Sequence, residues 1–108
     1  MNNKFLPGAV LFIIAFVLSN LASLAEVKAQ NTFYGNGAGQ NTTTGENDSA
    51  FGTAALHFNT SGSQNTASGD SALYSNTTGF WNTASGDSAL YNNTTGFSNT
   101  ASGVYGLY

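Results

Sequence analysis

The sequence predicts an all-β protein, a parallel β-roll or β-solenoid whose coils are about 17 residues long. Nine residues, NTASGDSAL, occupy positions 65–73 and recur unchanged at 82–90, and the related NTASGVYGL follows at 99–107. Self-similarity at a fixed short period is typical of proteins in which equivalent coils stack on one another. A helical structure is disfavoured, because no apolar residue recurs with helical spacing and the repeats carry glycines and Asn-Thr pairs.

The first 29 residues differ in composition from the rest and predict a secretory signal peptide. A lysine precedes a continuous apolar segment at 9–18, and small residues then offer cleavage sites after Ala25 or Ala29, of which we favour Ala29. An uncleaved membrane anchor is the alternative, but the apolar segment is shorter than the roughly 20 residues that a membrane-spanning helix needs. The sequence thus divides into a signal peptide at 1–29 and a β-roll region at 30–108.

The β-roll region consists of four complete repeats and a shorter fifth one. Their bounds are 31–47, 48–64, 65–81, 82–98 and 99–108. One invariant glycine column contains Gly35, Gly52, Gly69, Gly86 and Gly103. A second contains Gly45, Gly62, Gly79 and Gly96. Because glycine readily adopts positive φ and has no Cβ, both columns are expected to form bends or close backbone contacts.

Another column of equivalent positions predicts the hydrophobic core. It contains Leu56, Leu73, Leu90 and Leu107, with Gly39 in the first repeat. The next column contains Gln40, His57, Tyr74, Tyr91 and Tyr108. Each repeat is expected to form a short strand, a glycine bend, a second short strand near 71–74 and an Asn-Thr-Thr-Gly turn. We expect the side chains of Thr66 and Ser68 to face the interior, because the serine column begins with aromatic residues.

Charge and composition exclude several classes of function. The formal net charge is −3, and Lys4 and Lys28 are the only basic residues. Residues 30–108 therefore cannot neutralise nucleic-acid phosphates or dock on anionic lipid. The chain has no cysteine, which excludes disulfides. His57 is the sole histidine, and as a general base it would lack a nucleophile and an orienting acid. We therefore expect His57 to be a substitution within the tyrosine column. We expect neither enzymatic activity nor a cofactor.

Two acidic residues suggest a metal site at first sight. Asp70 and Asp87 occupy equivalent positions, so their carboxylates would lie about 5 Å apart on adjacent coils. A calcium ion could bridge such a pair, but the sequence lacks the paired-glycine nonapeptides of calcium-binding rolls. We therefore expect solvated carboxylates and no bound metal.

Aromatic residues indicate an interface between copies of the chain. A narrow roll with one leucine per coil has no room inside for Tyr74, Phe80, Trp81, Tyr91 and Phe97. Apolar burial in one roll, at about 25 cal/mol per Å², hardly offsets the ordering of each residue at roughly 1–2 kcal/mol. We therefore expect self-association through these aromatic side chains, a marginally stable monomer or a partly disordered fragment being the alternative.

The motif Asn-Thr-Ala-Ser-Gly-x-x-Ala-Leu-Tyr-x-Asn-Thr-Thr-Gly resembles the head repeats of trimeric autotransporter adhesins, the YadA-type β-roll, and related repeats of bacterial surface and tail-fibre proteins. The resemblance covers 31–108 and is strongest at 65–107. It implies a left-handed roll, a homotrimer and adhesion to host or neighbouring cells. The core of that family, Asn-x-x-Ala-Ile-Gly-x-x-Ala, is altered here. Its isoleucine position is held by Tyr34, Phe51, Ser68, Ser85 and Ser102.

Three hypotheses of function follow. The leading one is a secreted or bacterial cell-surface structural repeat protein that adheres to a host-cell or matrix ligand, with outer-membrane association only through an anchor outside this sequence. The second is a fibre or scaffold spacer that binds nothing itself. The third is an ice-binding β-solenoid, because the threonine and serine columns that begin at Thr66 and Ser68 would form a flat hydroxyl lattice if they faced outward.

Overall fold

Five short strands stack in sequence order to form a parallel β-solenoid. The computed structural model describes residues 10, 12–15, 17 and 30–108. The strands are β1 (Thr32–Tyr34), β2 (Ser49–Phe51), β3 (Thr66–Ser68), β4 (Thr83–Ser85) and β5 (Thr100–Ser102). Each strand pairs in parallel with the next, and equivalent residues of successive repeats are aligned. The predicted all-β solenoid with one coil per 17-residue repeat is thus confirmed.

The described residues near the N-terminus are helical. Val10, residues 12–15 and Val17 adopt this conformation, and Phe12 is 75% exposed. Among the residues that the structure describes, no helix is both long enough and apolar enough to cross a membrane. The predicted cleavage sites after Ala25 and Ala29 lie outside the described residues, as does most of the predicted signal peptide.

The strands reveal which side chains form the interior. In β3, Ala67 is buried, whereas Thr66 and Ser68 are exposed, and β4 and β5 repeat this pattern. The expectation that Thr66 and Ser68 face inward is therefore wrong. Asn65, immediately before β3, is completely buried. Because side chains alternate along a strand, an inward Asn65 requires an outward Thr66 and an inward Ala67.

The second strand expected near 71–74 is replaced by tight turns. Ser71 and Leu73 have φ values of 54° and 51°, in the left-handed region, so this segment curls and cannot extend. The turn still bonds to the next coil, because the Leu73 N–H donates to the carbonyl oxygen of Ala89 at 2.9 Å. Each coil therefore has one extended side and one side made of hydrogen-bonded turns.

A ladder of leucine and alanine side chains forms the core. Leu56 and Leu73 are completely buried, and Leu90 is 4% exposed. The alanines packed with them are Ala50, Ala55, Ala67, Ala72, Ala84, Ala89 and Ala101. Leu107, which the sequence places in the same ladder, is 67% exposed in the last coil of the structure. The interior is thus narrow, with space for one leucine per coil.

The two glycine columns allow neighbouring coils to approach closely. Gly69 has a φ of 139°, and a Cβ at this position would overlap the carbonyl group of Gly86. Gly79 has no positive φ, but a Cβ there would overlap Oδ1 of Asn76. Gly69 therefore has to be glycine for both conformation and space, and Gly79 for space alone.

Candidate binding surfaces

Buried asparagine side chains form a hydrogen-bonded ladder that supports the exposed strands. The backbone N–H of Asn82 donates to Oδ1 of Asn65 at 3.0 Å, and Nδ2 of Asn65 donates to the carbonyl oxygen of Gly79 at 2.9 Å. In a parallel column, Nδ2 of Asn76 donates to Oδ1 of Asn59 at 3.0 Å. All four of these asparagines are completely buried. This amide ladder satisfies polar groups inside the coil and fixes the register of each strand.

Asp48 occupies an asparagine position in the amide ladder. Its Oδ1 accepts hydrogen bonds from the backbone N–H of Asn65 at 2.8 Å and from Nδ2 of Asn65 at 3.1 Å. Its Oδ2 accepts one from Nδ2 of Asn59 at 2.7 Å. Burial raises the pKa of the Asp48 carboxyl from 3.8 to about 6, although these hydrogen bonds act in the opposite direction. This carboxyl group therefore titrates inside the core.

The outward side chains of β3, β4 and β5 form a surface that we call the hydroxyl face. It consists of Thr66, Ser68, Thr83, Ser85, Thr100 and Ser102. Within the part of the chain that the structure describes, none of these six hydroxyl groups bonds to a protein group. The threonines of the turns differ, because Oγ1 of Thr60 donates to the Thr77 carbonyl oxygen at 2.9 Å. The hydroxyl face is therefore free to bond to external molecules.

A column of stacked rings lies on the turn side of the coils, and we call it the tyrosine ladder. It consists of His57, Tyr74, Tyr91 and Tyr108. The Tyr74 and Tyr91 rings are parallel, with centroids 4.8 Å apart, and His57 stacks on Tyr74 at 5.1 Å. The ring faces cover one another, so the ladder presents ring edges and phenol groups to solvent.

A second aromatic surface, the phenylalanine–tryptophan stripe, consists of Phe80, Trp81 and Phe97. The Phe80 and Phe97 rings stack with centroids 5.1 Å apart, and Trp81 meets Phe80 edge to face at 5.2 Å. Nε1 of Trp81 donates to Oε1 of Gln64, which holds the indole in place. Trp81 and Phe97 are 58% and 61% exposed. The stripe is the more apolar of the two aromatic surfaces.

The five aromatic residues singled out in the sequence thus separate into two surfaces. Tyr74 and Tyr91 belong to the tyrosine ladder, and the other three form the stripe. The 17-residue spacing already assigns these residues to different columns, but only the path of the turn between the columns shows that they form separate surfaces. The leucines and glycines singled out beside them lie in the core and at the coil contacts.

The remaining candidates do not converge on a chemical site. Asp70 and Asp87 are exposed, and Oδ1 of Asp87 accepts a hydrogen bond from the hydroxyl of Ser88 at 2.9 Å. Nδ1 of His57 lies 3.0 Å from the Gly37 carbonyl oxygen. Residues 30–108 contain no cavity and no group of three metal-ligating side chains. The buried role of Asp48 was not predicted from the sequence, although an asparagine or aspartate at the equivalent position of every repeat is a signal of a buried polar column.

Comparison with known proteins finds no relative of this chain. No protein-family model, curated protein or solved structure matches the chain.

Proposed function

We propose that the chain is a secreted or cell-surface structural repeat protein with an adhesive role, organised like an adhesin head. The observation that carries this proposal is an exposed phenylalanine–tryptophan stripe together with a half-buried, stacked tyrosine ladder, on a solenoid without lysine or arginine in residues 30–108. Rigid aromatic side chains supply contact area with little loss of conformational entropy on binding. Such a surface suits recognition by shape more than recognition by charge.

Self-association as a homotrimer is part of this proposal. Residues near a three-fold axis meet their counterparts from the other copies, so one apolar stripe per copy is enough to build a trimer core. The phenylalanine–tryptophan stripe has the required apolar character and exposure. With the stripe at the axis, the tyrosine ladder, which is a separate column of the coil, is the surface that we assign to a host-cell or matrix ligand.

The chain offers its own template for a test of the trimer. Ser63 and Gln64 hold the positions of Phe80 and Trp81 in the preceding repeat. We expect the triple variant Phe80→Ser/Trp81→Gln/Phe97→Ser to sediment as a folded monomer, whereas the unaltered chain sediments at three times the monomer mass. A folded, strictly monomeric wild-type chain would contradict the trimer.

Adhesion can be separated from a mere spacer role by changing the tyrosine ladder. Gln40 holds the same column in the first repeat, so Tyr74→Gln/Tyr91→Gln introduces a residue that the fold accepts. We expect this variant to bind fixed epithelial cells and immobilised matrix extract about tenfold more weakly than the wild type. The exposed change Asn92→Ser, copied from Ser75, serves as the control that leaves binding intact.

Absence of binding by the wild type, or equal binding by the tyrosine variant, would favour the spacer function. Circular dichroism of each variant shows whether the fold is retained. Detection of the protein in the culture medium or on the cell surface tests the proposed secretion independently of any ligand.

A further inference from the structure

We propose that the hydroxyl face of β3, β4 and β5 binds ice. The ligand is an ordered lattice of water molecules, which bonds to the outward threonine and serine hydroxyl groups. This inference does not depend on the adhesive role, because the hydroxyl face is distinct from both aromatic surfaces.

The hydroxyl groups of this face are regularly spaced. The three strands align Thr66 with Thr83 and Thr83 with Thr100, and the serines align in the same way. Neighbouring parallel strands lie about 4.8 Å apart, and outward residues on one strand lie about 6.6 Å apart. The hydroxyl groups therefore form a nearly rectangular two-dimensional lattice. Its two spacings are similar to the distances between oxygen atoms on an ice surface.

These hydroxyl groups are also left without a hydrogen-bond partner by the residues that the structure describes. In the described part of the chain, the hydroxyl face makes no side-chain hydrogen bond to the protein, whereas Oγ1 of Thr43, Thr60 and Thr77 each donates to the next coil. A hydroxyl group both donates and accepts hydrogen bonds, as a water molecule in ice does. The face thus complements a neutral lattice that needs donors and acceptors in equal measure.

The hydroxyl face is held in place by the residues around it. Ala67, Ala84 and Ala101, the central residues of the three strands, are buried in the core, and the amide ladder anchors the residue before each strand. Threonine has restricted χ1 rotamers because its Cβ is branched. A surface that is already ordered loses little entropy when it binds an ordered ligand.

Charge and composition favour ice over other occupants of this face. Its six residues carry neither charge nor an aromatic ring on which a sugar could stack. The columns change in the first two coils, where Tyr34 and Phe51 replace serine and are 77% and 45% exposed. The hydroxyl lattice is therefore limited to three coils, which predicts weak but measurable ice binding.

The test uses the purified full chain with ice itself as the ligand. We expect the wild type to inhibit ice recrystallisation and to produce thermal hysteresis. Thr83→Lys places a charge at the centre of the face and should raise the concentration needed for inhibition about tenfold or more. Ser85→Tyr disrupts the same lattice with a residue that the serine column carries at Tyr34.

The matched control is Thr78→Lys, an equally charged change at an exposed threonine of a turn. It should leave the activity within about twofold of the wild type, and circular dichroism checks that every variant is folded. Loss of activity in Thr83→Lys and Ser85→Tyr but not in Thr78→Lys supports the proposal. An inactive wild type, full activity in both face variants, or equal loss in the control would overturn it.

Discussion

Asp48 links the stability of the solenoid to pH through a single buried group. Burial raises its pKa to about 6 in the folded chain, whereas the ordinary value of 3.8 applies to the unfolded chain. The folded state therefore binds the proton more tightly. The stabilisation that the protonated Asp48 gives to the folded state is fully present below about pH 3.8 and is lost as the pH rises through about 6. Above that pH, the native core contains a carboxylate that is bonded but desolvated.

Replacing Asp48 by asparagine should remove this pH dependence. Asparagine holds the same position in every other repeat, and its Nδ2 could donate to the Gly62 carbonyl as Asn65 donates to Gly79. At pH 7.5 we expect Asp48→Asn to raise the free energy of unfolding by up to about 3 kcal/mol, the equivalent of the pKa shift. Urea unfolding at pH 4 and pH 7.5 measures both effects. The exposed change Asp87→Asn should alter stability by less than about 0.5 kcal/mol, and equal effects of the two changes would contradict this account.

Two glycines of the same column separate conformational strain from steric overlap. Gly69 and Gly103 have φ values of 139° and 108°, but an added Cβ overlaps the Gly86 carbonyl only at Gly69 and meets nothing within 4 Å at Gly103. We expect Gly103→Ala to lower the free energy of unfolding by about 1–3 kcal/mol through strain alone. Gly69→Ala should lower it further or prevent folding. Thermal unfolding followed by circular dichroism compares the two, and a more damaging Gly103→Ala would show that the coil contact is unimportant.

In the first coil, the large and the small core residue occupy each other's positions compared with the later coils. Phe33 stands where β2 to β5 have alanine, and Gly39 stands where the later repeats have leucine. A Cβ on Gly39 would overlap the Phe33 ring, which therefore fills the leucine site from the opposite side. The volume of the core is conserved, although the residue that supplies it changes.

A double substitution tests this exchange. Gly39→Leu alone overfills the first coil and should lower the free energy of unfolding by about 1–3 kcal/mol. Adding Phe33→Ala restores the arrangement of the later coils, so the double variant should be more stable than Gly39→Leu. Urea unfolding of the wild type, both single variants and the double variant gives the coupling energy. Additive effects would mean that the two side chains do not share one site.

The limits of sequence reasoning are visible in these same elements. The repeat alone predicts the stacking of coils and the leucine ladder, because only stacked coils place Leu56, Leu73 and Leu90 together. It does not predict the turn at 71–74, because serine and leucine seldom adopt the positive φ that this turn requires.

The inward orientation expected for Thr66 failed for a different reason. A three-residue strand of two polar residues and one alanine does not determine which side chains face the core. The aromatic residues Tyr34 and Phe51 suggested that the serine column faces the interior. The invariant asparagine or aspartate before each strand was the better guide, because its buried amide fixes the alternation. For the candidate binding surfaces, composition and the repeat register predict columns of aromatic residues outside the core, but whether these columns form one surface or two depends on the path of the turn between them.

At the scale of the whole molecule, each coil contacts mainly the coils next to it. Every strand bonds only to its sequence neighbours, and the amide and tyrosine ladders also advance one repeat at a time. The stability of such a protein approximates a sum over coils and over the interfaces between them. Repeats should therefore be removable as units, provided that the register of the remaining coils is preserved.

Deleting residues 65–81 tests this modular behaviour. The deletion joins Gln64 to Asn82, and the sequence at 82–90 is identical to the one removed at 65–73, so each column continues unbroken. We expect cooperative unfolding with a denaturant m-value reduced by about one fifth, since one of five coils is lost. The control deletion of 65–82 removes one residue more and shifts every later residue to the opposite face of its strand, which exposes the alanines and buries the threonines. It should abolish cooperative unfolding by urea, as followed by far-ultraviolet circular dichroism. If both deletions unfolded alike, the in-register stacking of side chains would not be what holds the solenoid together.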